Sequence, residues 1–376
     1  MAGARLVHAG LGWALCCGMA LASGYSDFNA GIALRGRDDA LAVARFTAAL
    51  ADPNLPANLH AVALYDRADA YARLGKTDLA LADYSASLAL QPSYDAYIDR
   101  AKLNFLAGTI EPALKDLSDA ASLRPDLLEA RVLRVALLVE NDRFAEALAD
   151  EATLIQMEPN EPGLYVLRSA AYRRTGDYDA ARKDADMAIA LKPSDPAGYF
   201  AKASAFEAQG RLDDALAAIG IALQKSRRNL FAQMQKGILL WEQKKFEDAE
   251  QAFIDAQGLA PDFGYAQLWR TIAHRAAHPE ESDPPPAAGK LDMAVWPAPL
   301  AALYDGAATP AQVAAAAAAA TPADRRLHLC EADFYVAQWH LMNGRPAAGR
   351  KGLDKAVHDC PYDAVERAAA IAQERP

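Results

Sequence analysis

The chain has 376 residues, of which 52% are hydrophobic, and it carries a formal net charge of −10 with a pI near 5.3. An acidic protein of this kind is a poor partner for nucleic acid or for an anionic membrane surface, because both repel negative charge. The sequence contains no phosphate loop, serine elbow or histidine–carboxylate motif, so we expect neither catalysis nor a cofactor.

The first 22 residues have the features of an export signal. Arg5 gives a basic start, residues 6–19 are mostly apolar, and Ala-Leu-Ala at 20–22 suits cleavage. An uncleaved membrane anchor is the alternative, because the stretch could nearly span a bilayer. Cys16 and Cys17 lack the preceding residues of a lipid-attachment motif, which makes a lipid anchor the weaker hypothesis. We therefore expect an exported, periplasmic protein.

A repeat with a period of 34 residues organises the next part of the chain. Residues 23–60 hold an imperfect half-repeat, with Ala42, Phe46 and Ala49 at the spacing of a second helix. Six segments then align without internal gaps: 61–93, 94–127, 128–161, 162–195, 196–229 and 230–263. Such a period is typical of stacked units, none of which buries its apolar face alone.

Each segment has two runs of helical periodicity separated by a turn such as Leu74-Gly75-Lys76. Glycine ends the first helix in the left-handed conformation, and a proline follows the second in most segments. Because the connection is short, the two helices must be antiparallel. The twentieth place is alanine in all six segments, which allows close helix packing: Ala80, Ala113, Ala147, Ala181, Ala215 and Ala249.

Two other places vary together. The seventh place is Arg67, Arg100, Arg134, Arg168, Lys202 and Lys236, and the twenty-third is Asp83, Asp116, Asp150, Asp184, Ala218 and Ala252. Arginine occurs only where aspartate does, which predicts charge pairs between the two helices of one repeat. The alternative is a ladder of bases that binds a polyanion.

After the sixth repeat, residues 264–277 predict one more helix, which we expect to cap the stack. Residues 278–329 form a proline- and alanine-rich insertion that begins as a linker and later contains a helix started by Thr309-Pro310. His274 and His278 have metal-ligand spacing near two glutamates. The helix dipole alone favours histidine at this helix end, so we assign no metal.

A seventh repeat spans 330–363, and residues 364–376 predict a C-terminal capping helix. Cys330 and Cys360 occupy the first and thirty-first places of this repeat, which lie at the same end of an antiparallel pair. We expect a disulfide in an oxidising compartment; two unpaired cysteines are the alternative. Zinc bound with His328 and His358 is disfavoured, because helix positions two apart point to different sides.

These positions resemble the tetratricopeptide repeat, as Gly237, Phe246, Ala249, Phe253, Ala256 and Pro261 show within one segment. The resemblance implies an all-α fold, a right-handed superhelical α-solenoid of stacked antiparallel helix pairs. It also implies a concave groove that captures a peptide or helix. Counted by the family's positions, that groove contains Tyr65, Arg73, Ile98, Lys102, Phe105, Val132, Val139, Val166, Arg173, Arg174, Phe200, Phe231, Met234 and Trp241.

The leader, the acidic repeats and the late segment from Phe334 to Gly344 are similar to NlpI-type bacterial envelope proteins. That resemblance implies a non-catalytic scaffold that brings envelope proteases and cell-wall hydrolases together, often as a homodimer. Two other functions remain open: an envelope enzyme that uses the 278–329 insertion, and a metal-responsive module built on the histidines.

Overall fold

A computed structural model describes residues 24–281, 295–321, 324–361 and 364–374. Every regular element in these ranges is a helix, which confirms the all-α class. The predicted leader and part of the 278–329 linker lie outside the described residues. None of the described helices combines the length and apolarity that a membrane crossing requires.

The helices follow one another with short connections. The first, α1, covers residues 24–34. The others are α2 Asp39–Leu50, α3 Ala57–Arg73, α4 Thr77–Leu90, α5 Tyr94–Leu106, α6 Ile110–Leu123, α7 Glu129–Glu140, α8 Phe144–Met157, α9 Pro162–Thr175, α10 Tyr178–Leu191, α11 Pro196–Ala208, α12 Leu212–Lys225, α13 Leu230–Glu242, α14 Phe246–Leu259, α15 Gly264–Ala277, α16 Ala298–Tyr304, α17 Pro310–Ala318, α18 Arg325–Met342, α19 Pro346–Asp359 and α20 Val365–Glu374.

The chain divides into two compact units, Met1–Met157 and Glu158–Pro376. In the first unit α3 packs on α4, α5 on α6 and α7 on α8; in the second α9 packs on α10, α11 on α12 and α13 on α14. These six pairs are the six predicted repeats. Each predicted repeat between 61 and 263 therefore forms one pair of consecutive packed helices.

The turn between the paired helices requires a left-handed residue. Glycine supplies it in four of the six repeats, at Gly75, Gly108, Gly176 and Gly210. In the third and sixth repeats Asp142 and Lys244 adopt the same conformation, with φ of 58° and 61°. The geometry of the turn is thus kept where the sequence lacks the glycine that favours it.

The N-terminal half-repeat is a complete pair in the structure. Phe28 on α1 packs edge-on against Phe46 on α2, and the Gly24 amide donates a hydrogen bond to the Asp52 carboxylate. Ala42, Phe46 and Ala49 are fully buried, as their spacing predicted. The sequence predicted only a half-repeat here, because only the second helix keeps the spacing of the later repeats.

Helix α15 does not cap the stack, contrary to the expectation for 264–277. Its Trp269 stacks on Phe253 of α14 at 5.7 Å between ring centroids and contacts Phe334 of α18 at 5.4 Å. Helix α18 of the last repeat therefore packs against α15, which lies between α14 and α18. The sequence places α15 before an interruption, and only the folded chain shows that the stack continues beyond it.

The last repeat carries a covalent cross-link. Cys330 on α18 and Cys360 after α19 form a disulfide, with their Cα atoms 4.7 Å apart. Beyond it, α20 packs against α18 and α19 and also against α13 of the sixth repeat. The C-terminal helix thus turns back onto a repeat in the interior of its unit.

Candidate partner-binding pocket

Arginine and aspartate pair within four repeats, as the seventh and twenty-third places predicted. Arg168 donates through Nε and Nη2 to both Asp184 oxygens, at 2.7 and 2.8 Å. The other pairs are Arg67 with Asp83 (2.6 and 2.8 Å), Arg100 with Asp116 (2.9 and 2.6 Å) and Arg134 with Asp150 (3.3 Å). The prediction is confirmed, and these neutralised arginines are unsuited to binding a polyanion.

In the first unit, the predicted groove residues differ in their exposure and in whether their polar groups already have partners. Tyr65 donates to Asp99, Arg73 pairs with Asp39 and Asp69, and Lys102 pairs with Glu129. Ile98 is buried, so its expected place on an accessible groove is wrong. The side chains of Phe105, Val132 and Val139 are exposed.

In the second unit, Phe231 is the most accessible of the predicted apolar groove residues, at 69% exposure. Val166, Arg173, Arg174 and Phe200 are half-buried.

Trp241 is buried, which overturns its expected role as an exposed anchor. Its ring contacts Trp269 of α15 at 5.5 Å and Phe246 of α14 at 6.3 Å between centroids. Met234 is also buried, but it lines an open pocket. A tryptophan at this place packs inward because the continuing stack supplies an aromatic neighbour in α15.

The pocket has a volume of about 640 Å³ and lies entirely within the second unit. Met234, Ile238 and Trp269 are its large buried apolar residues, and Phe231 and Leu327 are its exposed ones. Its full lining is Phe200, Ser204, Phe231, Met234, Gln235, Ile238, Phe263, Tyr265, Trp269, Leu327, Glu331, Pro361, Ala364, Val365 and Glu366. Apolar side chains around a concave surface with few polar groups are typical of a binding site.

Two buried carboxyl groups belong to the lining. Glu331 accepts hydrogen bonds from the Tyr265 hydroxyl at 2.9 Å and from the Trp296 indole, and Glu366 accepts one from the Tyr335 hydroxyl at 3.2 Å. Burial raises the pKa of both groups, and for Glu366 the pKa reaches about 7, with the charge of Glu331 adding to the effect. A cationic group in the pocket would therefore meet acids that lack a basic partner among the pocket's lining residues.

A smaller cavity of about 180 Å³ adjoins the pocket through the shared residues Ser204, Gln235, Ala364 and Val365. There Gln235 Nε2 donates to Glu207 at 2.7 Å. Burial raises the pKa of Glu207 to about 7, while Arg173 opposes the shift. Arg173 thus belongs to a partly enclosed polar network rather than to the open apolar pocket.

The wall formed by the last repeat and the C-terminal helix is a part of the pocket that the sequence did not predict. Glu331 occupies the second place of the seventh repeat, the place that Phe231 has in the sixth. Extending the family positions to that repeat would have selected it. No comparable signal marks Glu366, since α20 follows no repeat pattern.

Within the part of the chain that the structure describes, two histidines and a glutamate form a cluster suited to a metal ion. Glu250, His274 and His278 each place a ligand atom within 4.8 Å of the others. The histidine–cysteine pairs do not form such a cluster, because both cysteines are in the disulfide and His328 stacks on Trp296.

A known protein family has a sequence pattern that matches the part of the chain that forms the helix pairs. The model of the tetratricopeptide repeat family matches residues 65–127, 132–196, 166–229 and 200–262. The chain belongs to the tetratricopeptide repeat family. No curated protein matches the sequence.

Solved structures of other repeat proteins are similar at low identity. A tetratricopeptide repeat protein from Parabacteroides merdae is 19% identical, with a TM-score of 0.41, over 67% of this chain and 98% of that one. A thermophilic repeat protein from Thermus thermophilus is 22% identical, with a TM-score of 0.34, over 48% and 99%. YrrB, described as having an unusual peptide-binding site, is 17% identical, with a TM-score of 0.37, over 49% and 95%.

Proposed function

We propose that this tetratricopeptide repeat protein is a non-catalytic adaptor that binds a segment of a partner protein in the pocket of its second unit. The observation that carries the proposal is Phe231, a large apolar side chain exposed at 69% beside a pocket with a buried apolar floor. Aromatic side chains of this kind supply much of the binding energy of protein interfaces.

The pocket favours a partner segment with a bulky apolar side chain next to a lysine or arginine. The apolar side chain would cover Met234, Ile238 and Phe231, which removes apolar surface from water. The basic group would face Glu331 and Glu366, whose raised pKa values express the cost of burying their charge. A cation beside them lowers that cost.

Selection of peptides from a displayed library on the purified protein tests the proposal. Peptides that bind should combine an aromatic or large aliphatic residue with a basic one. Replacing Phe231 with serine should weaken a selected peptide by about 30-fold, the loss expected of an interface anchor. Leu327→Ser, on the α18 wall, should weaken it too.

Leu106→Ser is the matched control, since Leu106 is exposed at 80% on α5 of the first unit, outside the pocket. Its affinity for the peptide should equal that of the unchanged protein. If a selected peptide bound Phe231→Ser as tightly as the unchanged protein, the binding surface would lie elsewhere. The same would follow if Leu106→Ser lowered the affinity for the peptide as much as Phe231→Ser does.

Export to the periplasm belongs to the same proposal. Arg5, the apolar run and the Ala-Leu-Ala at 20–22 support it, and a disulfide is suited to an oxidising compartment. The NlpI-type resemblance adds envelope proteases and cell-wall hydrolases as partner classes and a homodimer as the assembly. N-terminal sequencing of the native protein should begin near Ser23, and a mature chain that starts at Met1 would contradict export.

A further inference from the structure

Three potential metal ligands meet where α14 and α15 lie side by side. His274 lies in the last turn of α15, and His278 is the residue that caps this helix. Glu250 lies on α14. Its Oε1 is 3.1 Å from His274 Nδ1, and its Oε2 is 3.8 Å from His278 Nε2. The two imidazole centroids are 5.1 Å apart.

We propose that Glu250, His274 and His278 bind a divalent cation of the zinc type. Nitrogen and oxygen ligands about 2.0–2.2 Å from a tetrahedral zinc lie about 3.3 Å from one another. The carboxylate–imidazole distances of 3.1 and 3.8 Å, one to each oxygen of Glu250, are near that spacing, and one ligand atom from each of the three residues lies within 4.8 Å of the others. Two histidines and one glutamate fill three positions and leave the fourth for water or another ligand.

The surroundings of His278 match those of a metal-binding histidine. While Nε2 faces Glu250, Nδ1 lies 3.7 Å from the Glu281 carboxylate. A carboxylate on the second ring nitrogen orients a metal-bound histidine and strengthens it as a ligand. Side-chain exposure is 13% for Glu250, 12% for His274 and 37% for His278, so the cluster is ordered by packing but open on one side.

Arg270 places a positive charge beside the site. Arg270 Nε lies 4.0 Å from Glu250 Oε1, while its Nη1 donates to Gln257 at 3.0 Å. A second positive charge near the site weakens metal binding by electrostatic repulsion. Arg270→Gln should therefore bind zinc more tightly than the unchanged protein, a result that a simple histidine–glutamate ion pair does not predict.

Calorimetric titration with zinc chloride tests the site on the untagged, chelator-treated full chain under non-reducing conditions. We expect one zinc per chain. His278→Ala and Glu250→Gln should each weaken binding by at least about 100-fold, because loss of a direct ligand costs more than loss of an outer partner. Cobalt in place of zinc should give the visible absorption of tetrahedral cobalt, and both variants should lose it.

His358→Ala is the matched control, because His358 is exposed on α19 and its Nδ1 lies 2.7 Å from the Asp354 carbonyl oxygen, outside the cluster. It should bind zinc like the unchanged protein. Zinc should also raise the melting temperature of the unchanged protein and of His358→Ala, but not that of His278→Ala. Failure of the unchanged protein to bind one zinc, or binding by His278→Ala and Glu250→Gln as tight as that of the unchanged protein, would overturn the proposal.

Discussion

Single residue pairs explain why the two helices of a repeat keep their register. Arg168 and Asp184 are joined by two parallel hydrogen bonds, and their side chains are exposed at only 18% and 7%. Bidentate, charge-assisted bonds of this type resist sliding because both contacts break together. Lys202 replaces arginine in the fifth repeat and pairs instead with the exposed Asp186.

Arg168→Ala and Asp184→Ala should destabilise the protein by less together than the sum of their separate losses. We expect a coupling of about 1–2 kcal/mol in a double-mutant cycle followed by urea unfolding. The cycle on Lys202 and Asp186, an exposed pair, is the control and should give no more than about 0.5 kcal/mol. Strict additivity at Arg168 and Asp184 would mean that the pair does not stabilise the fold.

Glu366 should make the stability of the second unit depend on pH. Its pKa in the folded protein is about 7, raised from 4.5 by burial and by Glu331. The folded state therefore binds the proton more tightly than the unfolded state. This favourable contribution is complete below pH 4.5 and is lost as the pH rises through 7.

Glu366→Gln keeps an acceptor for Tyr335 but has no charge to bury. It should raise the unfolding free energy at pH 8 by about 1–3 kcal/mol and reduce the fall in stability between pH 5.5 and 8. Melting curves across this range measure the effect, with the exposed Glu247→Gln as the control. An unchanged pH profile in Glu366→Gln would show that this carboxyl group is not responsible.

At the scale of the helices, close approach depends on side chains that are small or absent. A Cβ atom on Gly237 of α13 would lie 2.5 Å from the ring of Phe253 on α14, whereas one on Gly220 of α12 would meet nothing within 4 Å. Both glycines lie on helices of the second unit, but a larger side chain has space at Gly220 and none at Gly237. Of these two glycines, Gly237 is the one that helix packing requires.

Gly237→Ala should lower the unfolding free energy by about 1–3 kcal/mol, because Phe253 is buried and has no free space. Gly220→Ala should raise it by about 0.5–1 kcal/mol, because alanine loses less backbone entropy in a helix. Chemical unfolding of both variants gives the comparison. If both changes were stabilising, α13 and α14 would not be as close as the structure has them.

At the scale of the whole molecule, the second unit contains the larger aromatic core and the disulfide. The core cluster runs from Met234 through Trp269 to Phe334 and Ala370, and so joins the sixth repeat to the last one. The cross-link closes the last repeat, and its two cysteines are 30 positions apart in the sequence. A repeat near the end of a stack has fewer neighbours to stabilise it, so a cross-link has most effect there.

Replacing both Cys330 and Cys360 with serine should lower the unfolding free energy by about 3–4 kcal/mol, the loop-closure entropy for this separation. Reductant should destabilise the unchanged protein to a similar extent and have no effect on the double variant. Guanidinium unfolding with and without reductant measures both. Insensitivity of the unchanged protein to reductant would mean that the disulfide does not stabilise its folded state.

The sequence by itself determined what depends on contacts within one repeat. The helix pairs, the buried alanines and the Arg168–Asp184 type of pair all follow from a period of 34 residues, since a short turn fixes which positions of two adjacent helices meet.

Tertiary structure decided whatever depends on chain segments far apart in sequence. Trp241 is buried because the stack continues through α15, and Glu366 reaches the pocket because α20 returns to α13. Glu250 contacts His274 because α14 packs beside α15. From the sequence alone, the glutamates expected near the histidines were Glu280 and Glu281, which are closer to them along the chain. Such contacts have no period in the sequence, because the interruption at 278–329 and the final helix each occur once.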